Sequence, residues 1–294
     1  MFGRVESELN SDNYISIGKT CSYLGVSRSG FYNWQKRKNS GKSNDTYEMS
    51  IKDEIQKIVV SFTGYGYRRV TKELHRRGYL INSKRVLRLM KEDNLLCVKK
   101  RFTPLTTNSN HNFPVYPNLI KNISLSGLNQ VWASDITYIH LLREFIYLAA
   151  IIDIFSRKCI GWEIDRNIDT QLTLNALRKA LEKRWNPDVK GLIHHSDQGV
   201  QYASNDYINC LKKYNIRISM SRKGNPYDNA FVESFIKTLK YEEVYISEYE
   251  TFNEAYQNIE NFIEEVYNKK RLHSSIGYLP PDEFEAGINL NILP

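Results

Sequence analysis

The chain has 294 residues, 41% hydrophobic and 25% charged, an ordinary composition for a globular protein of two or three domains. Its longest apolar run, FIYLAAIIDIF, has about half the length of a membrane-spanning helix, and the N-terminal MFGRVESELN lacks the apolar core of a signal peptide. The composition therefore predicts a cytoplasmic protein without a membrane segment. The four cysteines are scattered without a C-x-x-C pair, which argues against a zinc ribbon or a disulfide framework.

The net charge of +8 is unevenly distributed along the chain. Residues 1–127 carry 22 Lys and Arg against 10 Asp and Glu, a net charge of +12, and the remainder carries 19 against 23, a net charge of −4. A basic first half favours a polyanionic partner, most simply nucleic acid, over an ordinary solvated surface.

Residues 12–38 are predicted to form a helix-turn-helix-like unit. Gly25 suits the left-handed end of a first helix, and Ser27 suits the N-cap of a second. That second helix would offer Arg28 to a groove of DNA. An ordinary helical hairpin is the alternative.

Residues 49–96 are predicted to form a second helical DNA-binding unit. A helix beginning at Asn82 or Ser83 carries three basic side chains, which suit DNA phosphates or, equally well, the solvated face of a small bundle: Lys84, Arg85 and Arg88. The polar stretch 39–48 and the Asn-, Ser-, Thr- and Pro-rich stretch 97–127 are predicted to be linkers.

From Gln130 the hydrophobic period changes from helical to strand-like. Three strand-like segments with short connections predict an antiparallel meander: 131–140, 145–155 and 159–165. Helices and short strands then alternate, with helices at 170–184, about 203–214 and from 226 or 228, and strands at 191–196 and 216–220. This order predicts an α/β fold with a mixed five-stranded sheet flanked by helices, in a domain at 128–246 that precedes a C-terminal helical extension at 247–294.

Three carboxylates stand out in this second half. Asp135 interrupts an apolar strand, and a lone buried carboxylate is costly unless it is paired or binds a metal. Asp197 ends the strand in GLIHHSDQG, where a histidine-rich metal site, a general base and a polar strand end are all open interpretations. Glu233 shares a helix face with Lys237 and Lys240, and a surface ion pair would explain it.

Clustered carboxylates also suit two divalent cations about 3.5–4 Å apart, an arrangement that activates a nucleophile and stabilises the leaving oxygen in phosphodiester chemistry. Magnesium prefers carboxylate and water ligands and needs neither histidine nor cysteine.

The motifs around these residues resemble those of one family. Asp135 lies in WASDITYI, Asp197 in HHSDQGVQY and Glu233 in DNAFVESFIKTLK, with 35 residues between the last two. YGYRRV, IIDIFSRKCIGW and YNKKRLHSSIGYLPPDEF occur in the matching order. The chain resembles the DDE transposases and retroviral integrases, especially the OrfB-type transposases of bacterial insertion sequences with two overlapping reading frames.

The resemblance implies an RNase H-like core with two Mg²⁺ or Mn²⁺ ions bound by Asp135, Asp197 and Glu233. It implies a reaction in which water, and then a DNA 3′-hydroxyl, attacks a phosphodiester. The implied partners are double-stranded DNA (element ends and target), further copies of the chain in the DNA complex, and the product of an upstream reading frame as a fusion. The implied location is the nucleoid of a bacterial cytoplasm.

Four more residues have expected roles beside this site. Lys240 corresponds to the family's basic residue near the cleaved DNA end, and Lys237, on the same helix face, is expected to contact DNA as well. His195 and Asp153 are expected to lie behind the metal ligands and to support them. His195 could also lie near DNA, and a purely structural role remains the alternative for both residues. Two other functions remain open: a catalytically silent DNA-binding regulator, and an RNase H-type nuclease that hydrolyses without joining.

Overall fold

The computed structural model describes residues 2–11, 16–97, 113–184, 191–222 and 226–290. The chain forms two compact units, one of residues 1–61 and 74–95 and the other of residues 62–73 and 96–294. It therefore enters the second unit at Phe62, returns to the first at Leu74, and leaves again after Leu95. This differs from the single helical unit that the sequence predicts at 49–96.

The first unit is helical, and α4 contributes its last residues to it. Its helices are α1 (Phe2–Ser11), α2 (Ile17–Tyr23), α3 (Arg28–Ser61), α4 (Tyr67–Arg76) and α5 (Ser83–Glu92). The turn between α2 and α3 agrees with the sequence, because Gly25 has a φ of +66° and the Ser27 hydroxyl accepts a hydrogen bond from the Gly30 N–H at 3.0 Å. Residues 12–15 of the predicted unit at 12–38 lie outside the described ranges.

Helix α3 runs through the polar stretch 39–48 that the composition predicts to be a linker. The stretch contains no proline, and apart from Gly41, which costs about 1 kcal/mol, its residues cost a helix only a fraction of a kcal/mol each. Further along α3, Ile51, Ile55 and Ile58 are buried at the predicted helical spacing. Most of the other predicted linker, 97–127, lies outside the described ranges.

A mixed sheet of five strands forms the centre of the second unit and confirms the predicted α/β class. The strands are β1 (Val131–His140), β2 (Phe145–Asp153), β3 (Cys159–Asp165), β4 (Ile193–Ser196) and β5 (Arg217–Met220). Their spatial order is β3-β2-β1-β4-β5, in which β1, β2 and β3 are antiparallel neighbours, β4 is parallel to β1, and β5 is parallel to β4.

Six further α-helices accompany the sheet in the described ranges: α6 (Thr170–Arg184), α7 (Val200–Ala203), α8 (Asn205–Lys213), α9 (Ala230–Leu239), α10 (Phe252–Asn261) and α11 (Pro281–Asn289). The helix predicted at 203–214 is α8, which begins at Asn205. The residue between α7 and α8, Ser204, caps α8 by accepting a hydrogen bond from the Tyr207 N–H. A 3-10 turn at Pro226–Asn229 precedes α9, and a π-helical turn at Lys240–Val244 continues it. No helix in the described ranges is apolar over a length that could cross a bilayer.

The two faces of the sheet pack against different helices because alternate residues of a strand point to opposite sides. Trp132 is buried among the apolar side chains of α6, whereas its neighbour Ala133 is buried with α9 residues such as Val232. The α6 side is very close, since a Cβ at Gly161 would overlap the Ala176 carbonyl. Residues of β1 with odd numbers near the sheet centre therefore face α9.

Candidate active site

The strand register places two aspartates side by side. Val131 pairs with Ile193 and Ala133 with His195, so the same offset puts Asp197, just past the end of β4, level with Asp135 on β1. Neighbouring strands are about 4.8 Å apart, and residues two apart share a face. Asp135 and Asp197 therefore both lie on the face of the sheet that α9 covers.

Glu233 lies in the first turn of α9, the helix that packs on this face through Val232 and Phe235. The start of α9 is fastened to β1 by Asn229, whose side-chain amide donates a hydrogen bond to the Ser134 carbonyl at 3.0 Å. Asn229 is 5% exposed, and its bond ends on the residue next to Asp135. The sequence did not indicate this role for Asn229. An asparagine directly before a helix suggests an N-cap, but the Asn229 side chain makes no cap hydrogen bond.

Three carboxylates and one lysine lie close enough for their charges to affect the pKa of Asp135. Burial raises the pKa of Asp135 well above its usual range, and the negative charges of Asp197 and Glu233 raise it further, against the Ile136 N–H and Lys240. Partial desolvation also raises the pKa of Glu233, although the residue as a whole is exposed. The structure thus brings together the three residues that the sequence predicts to be metal ligands.

The carboxylate oxygens of Asp135, Asp197 and Glu233 are suitable ligands for a divalent cation, although they do not yet surround a single metal position. In the described part of the chain, no three His, Cys, Asp or Glu side chains are already arranged to hold a metal ion. Three mutually repelling carboxylates, two of them half-buried, leave negative charge that a hard cation would compensate through oxygen ligands. Glu233 is exposed on α9, so its side chain can reorient without disturbing the core.

The residues after Asp197 hold its carboxylate in a tight turn. The Gly199 N–H donates a hydrogen bond to Asp197 Oδ1 at 2.8 Å. Gly199 has an ordinary φ of −64°, so its glycine is needed for space: a Cβ there would lie 2.9 Å from the same oxygen. The glycine at this turn is therefore needed for a steric reason, without a left-handed backbone.

The two histidines before Asp197 are buried on opposite faces of the sheet. The ring of His195 contacts the Ser219 hydroxyl through Nδ1 at 2.8 Å, and that hydroxyl accepts a hydrogen bond from the Leu119 N–H at 2.9 Å. His194 shares a hydrogen bond of 2.9 Å with the Tyr207 hydroxyl on the α6 side. Burial lowers the pKa of His195 to about 4 and that of His194 to about 3, so both rings are neutral near pH 7.

Asp153 belongs to the turn after β2. Its carboxylate accepts hydrogen bonds from the backbone N–H groups of Asn129 and Phe155 at 2.7 and 2.9 Å, and from Ser156 at 3.3 Å. These bonds connect the turn to the chain entering β1, so the contacts of Asp153 are those of a turn-forming residue.

The lysines of α9 have different surroundings. Lys240 Nζ lies 4.5 Å from the centre of the Tyr138 ring, and burial lowers its pKa while Asp135 opposes that shift. Lys237 is exposed. The surface ion pair that would explain Glu233 and Lys237 does not form among the described residues, which leaves Glu233 available to the carboxylate cluster.

Two of the four basic residues predicted to bind DNA in the first unit are occupied by acidic partners, and Lys84 and Arg28 are exposed. Arg85 pairs with Glu48 at 2.6 Å, and Arg88 pairs with Glu48 and Glu92 at 3.0 and 2.7 Å. Arg28 is exposed and stacks on Tyr32, with 5.8 Å between its guanidinium carbon and the ring centre. DNA would therefore have to replace existing ion pairs at Arg85 and Arg88, whereas Arg28 is accessible.

Family comparisons agree with this site. Models described as an integrase core domain match residues 126–226 and 214–281, and a model of an HTH-like domain matches residues 46–102. With Asp135, Asp197 and Glu233 on one face of the sheet, these matches define an enzyme of the DDE transposase and integrase class.

Individual relatives narrow the class to a family. The chain is 39% identical over 265 residues to the insertion element IS600 uncharacterized 31 kDa protein of Shigella sonnei, covering 90% of this chain and 96% of that protein. It is 37% identical to transposase InsF for insertion sequence IS3A of Escherichia coli K12, covering 92% and 94%. A cryo-EM intasome of simian T-cell lymphotropic virus is similar with a TM-score of 0.45 and 18% identity, covering 82% of this chain and 77% of the matched chain. The chain belongs to the family of insertion-sequence transposases.

Proposed function

We propose that this transposase cleaves DNA strands and joins them to target DNA, using two Mg²⁺ ions bound by Asp135, Asp197 and Glu233. The observation that supports the assignment is the register of β1 and β4, which sets Asp197 level with Asp135 on the face covered by α9, and the charges of Asp197 and Glu233 accordingly raise the pKa of Asp135. Divalent cations held between these oxygens would activate the attacking water or 3′-hydroxyl and stabilise the leaving oxygen.

The remaining side chains of the site position and neutralise these groups. Lys240, drawn toward Asp135, would contact a phosphate beside the carboxylates, and Lys237 would contact the same DNA strand from the exposed face of α9. Asn229 would fix the distance of Glu233 from β1, and His195 would hold the strand that ends in Asp197 against β5 through Ser219. Asp153 would shape the turn after β2 without touching the cations.

The catalytic assignment is tested with a labelled duplex carrying the ends of the protein's own element, incubated with MgCl₂. Asp197→Asn should abolish both cleaved and joined products while binding of the duplex persists, since the substitution removes one negative charge and no DNA contact. The matched control is Asp206→Asn at an exposed aspartate in the first turn of α8, which should keep wild-type activity. Full cleavage by Asp197→Asn would overturn the assignment.

Metal binding is tested separately, without DNA. Electron paramagnetic resonance of added Mn²⁺ should show bound metal in the wild type and in Asp206→Asn, and weaker binding in Asp135→Asn. Equal Mn²⁺ binding in Asp135→Asn would contradict the ligand set even if activity were lost.

The same duplex assay separates the two other functions. An RNase H-type nuclease would give cleaved strands without joined strands, and a silent regulator would bind the duplex without giving either product. DNA binding by the first unit is expected to depend on Arg28 and Lys84 more than on Arg85 and Arg88, because the last two already pair with acidic side chains. Assembly of several copies on DNA, and fusion to an upstream reading frame, belong to the same proposal.

A further inference from the structure

A second basic site lies within the second unit, away from the carboxylates. Aromatic rings connect its parts: the Tyr267 ring packs edge-on against Phe235 of α9 at 4.8 Å and against His273 at 4.7 Å. The next residue before His273, Leu272, donates its N–H to the Tyr65 hydroxyl at 2.6 Å. The segment YGYRRV therefore packs against the RLHSS segment near the C-terminus.

Three arginines surround these rings. The guanidinium carbon of Arg69 lies 5.8 Å from the Tyr65 ring centre, that of Arg271 lies 6.0 Å from Tyr267, and that of Arg157 lies 4.4 Å from Phe231 on α9. Burial and the positive charges of all three arginines lower the pKa of His273 to about 2. The three guanidinium groups therefore lie around one neutral imidazole ring.

The charges at this site do not balance. Arg271 makes a buried bidentate ion pair with Glu242, at 2.7 and 2.6 Å. Across the described residues, the guanidinium groups of Arg69 and Arg157 form no ion pair with a carboxylate, and the Nε atoms of both are buried without a hydrogen-bond partner. Burial lowers the pKa of both arginines, and the negative charges of Glu242 near Arg69 and of Asp153 near Arg157 offset this only in part.

The site is preformed and faces away from the catalytic carboxylates. Phe231 precedes Glu233 by two residues, about 200° around the helix, so Arg157 lies on the opposite side of α9. The backbone of Arg157 has a φ of +67°, an uncommon conformation for a residue with a side chain, and its N–H donates to the Asp153 carbonyl at 2.8 Å. The turn that Asp153 closes thus holds Arg157 in place before any ligand binds.

We propose that Arg69 and Arg157 bind backbone phosphates of DNA at this second site, on the side of α9 opposite Glu233. The guanidinium group matches a phosphate with two parallel hydrogen bonds, and stacking on Tyr65 and Phe231 fixes its plane without using its donors. A phosphodiester would supply the negative charge that the cluster lacks. DNA is the polyanion on which a transposase acts, and this contact is independent of the metal ligands.

The test measures how DNA affinity depends on salt, with a fluorescent duplex and EDTA present so that no strand is cleaved. Arg69→Gln and Arg157→Gln should each weaken binding several-fold at low salt and reduce the slope of log Kd against log salt by about 1, as expected for one lost phosphate contact. The matched control is Arg166→Gln, because Arg166 also stacks on a ring, Phe252 at 4.5 Å, but already pairs with Glu144. Its slope should equal that of the wild type.

Thermal stability separates this proposal from a purely structural role. If the two arginines lack a counter-ion, Arg157→Gln should leave the Tm of the DNA-free protein unchanged or higher. A lower Tm with an unchanged salt slope in both variants would overturn the proposal.

Footprinting of the wild type covers the case in which a variant does not fold. Phenylglyoxal modification of Arg69 and Arg157, read by mass spectrometry, should decrease when the duplex is bound, and equal modification with and without DNA would refute the contact. Inorganic phosphate at the same phosphate concentration should protect much less. Equal protection by inorganic phosphate would identify a free-anion site and overturn the proposal of a DNA contact.

Discussion

Glu242→Gln should be among the most destabilising conservative substitutions in this transposase. Glu242 and Arg271 have side chains that are 8% and 4% exposed, and Arg271 donates to both carboxylate oxygens. Removing one charge of a buried pair costs about 3–5 kcal/mol, because the remaining ion is left uncompensated in a poorly solvated place. Here the remaining cation also lies near Arg69, whose positive charge increases the penalty.

Urea unfolding followed by tryptophan fluorescence measures this loss. With an m-value of about 1–3 kcal/mol per molar urea, a loss of 3 kcal/mol moves the midpoint down by about 1 M or more. Glu144→Gln is the matched control, since the Arg166–Glu144 pair is 56% and 39% exposed and such pairs contribute about 0–1 kcal/mol. Replacing both partners by apolar residues, Arg271→Met with Glu242→Leu, should recover most of the loss. The reasoning is refuted if Glu242→Gln shifts the midpoint no further than Glu144→Gln.

Two further predictions concern titrating groups at the site. Asp135→Asn should raise the Tm of the metal-free protein at pH 7 in calorimetry, because the fold raises the pKa of Asp135 and so disfavours its ionised form; an unchanged or lower Tm would contradict this. His194 and His195, with pKa values lowered to about 3 and about 4, are protonated first in the unfolded chain. The free energy of unfolding from urea titrations should therefore fall as pH drops below about 6.5, by up to about 1.4 kcal/mol per pH unit for each histidine, and His195→Asn should make this fall shallower.

Local patterns in the sequence predicted much of the fold. The change from helical to alternating periodicity at Gln130 predicted β1, β2 and β3, and short apolar runs predicted β4 and β5. Alternation also determines that His195 and Asp197 share one face of the sheet while His194 faces the other. The parallel pairing of β4 with β1 is a tertiary choice, but once it is made, the constant offset brings Asp135 level with Asp197.

Contacts between segments that are distant in the sequence could not be predicted from local patterns. Glu48 neutralises Arg85 and Arg88 from 37 and 40 residues away, so a face that looks basic in the sequence is largely paired in the fold. Asn229 bonds to the carbonyl of Ser134, an acceptor that every residue possesses and that leaves no mark in the sequence. Segment 62–73 includes most of α4 and has no local feature that separates it from the neighbouring helices, and contacts with distant residues such as Leu272 assign it to the second unit.

The route of the chain between its two units limits how such a protein can be recombined in evolution. Phe62–Glu73 is an insertion of the second unit into the covalent sequence of the first. If a single recombination event near residue 96 replaced the N-terminal part of the chain, segment 62–73 would come from the other protein. Its Tyr65 would then have to accept the hydrogen bond from the Leu272 N–H of the original chain. We therefore expect a functional exchange of this module to require that YGYRRV and RLHSS remain compatible, although the two motifs are about 200 residues apart in the sequence.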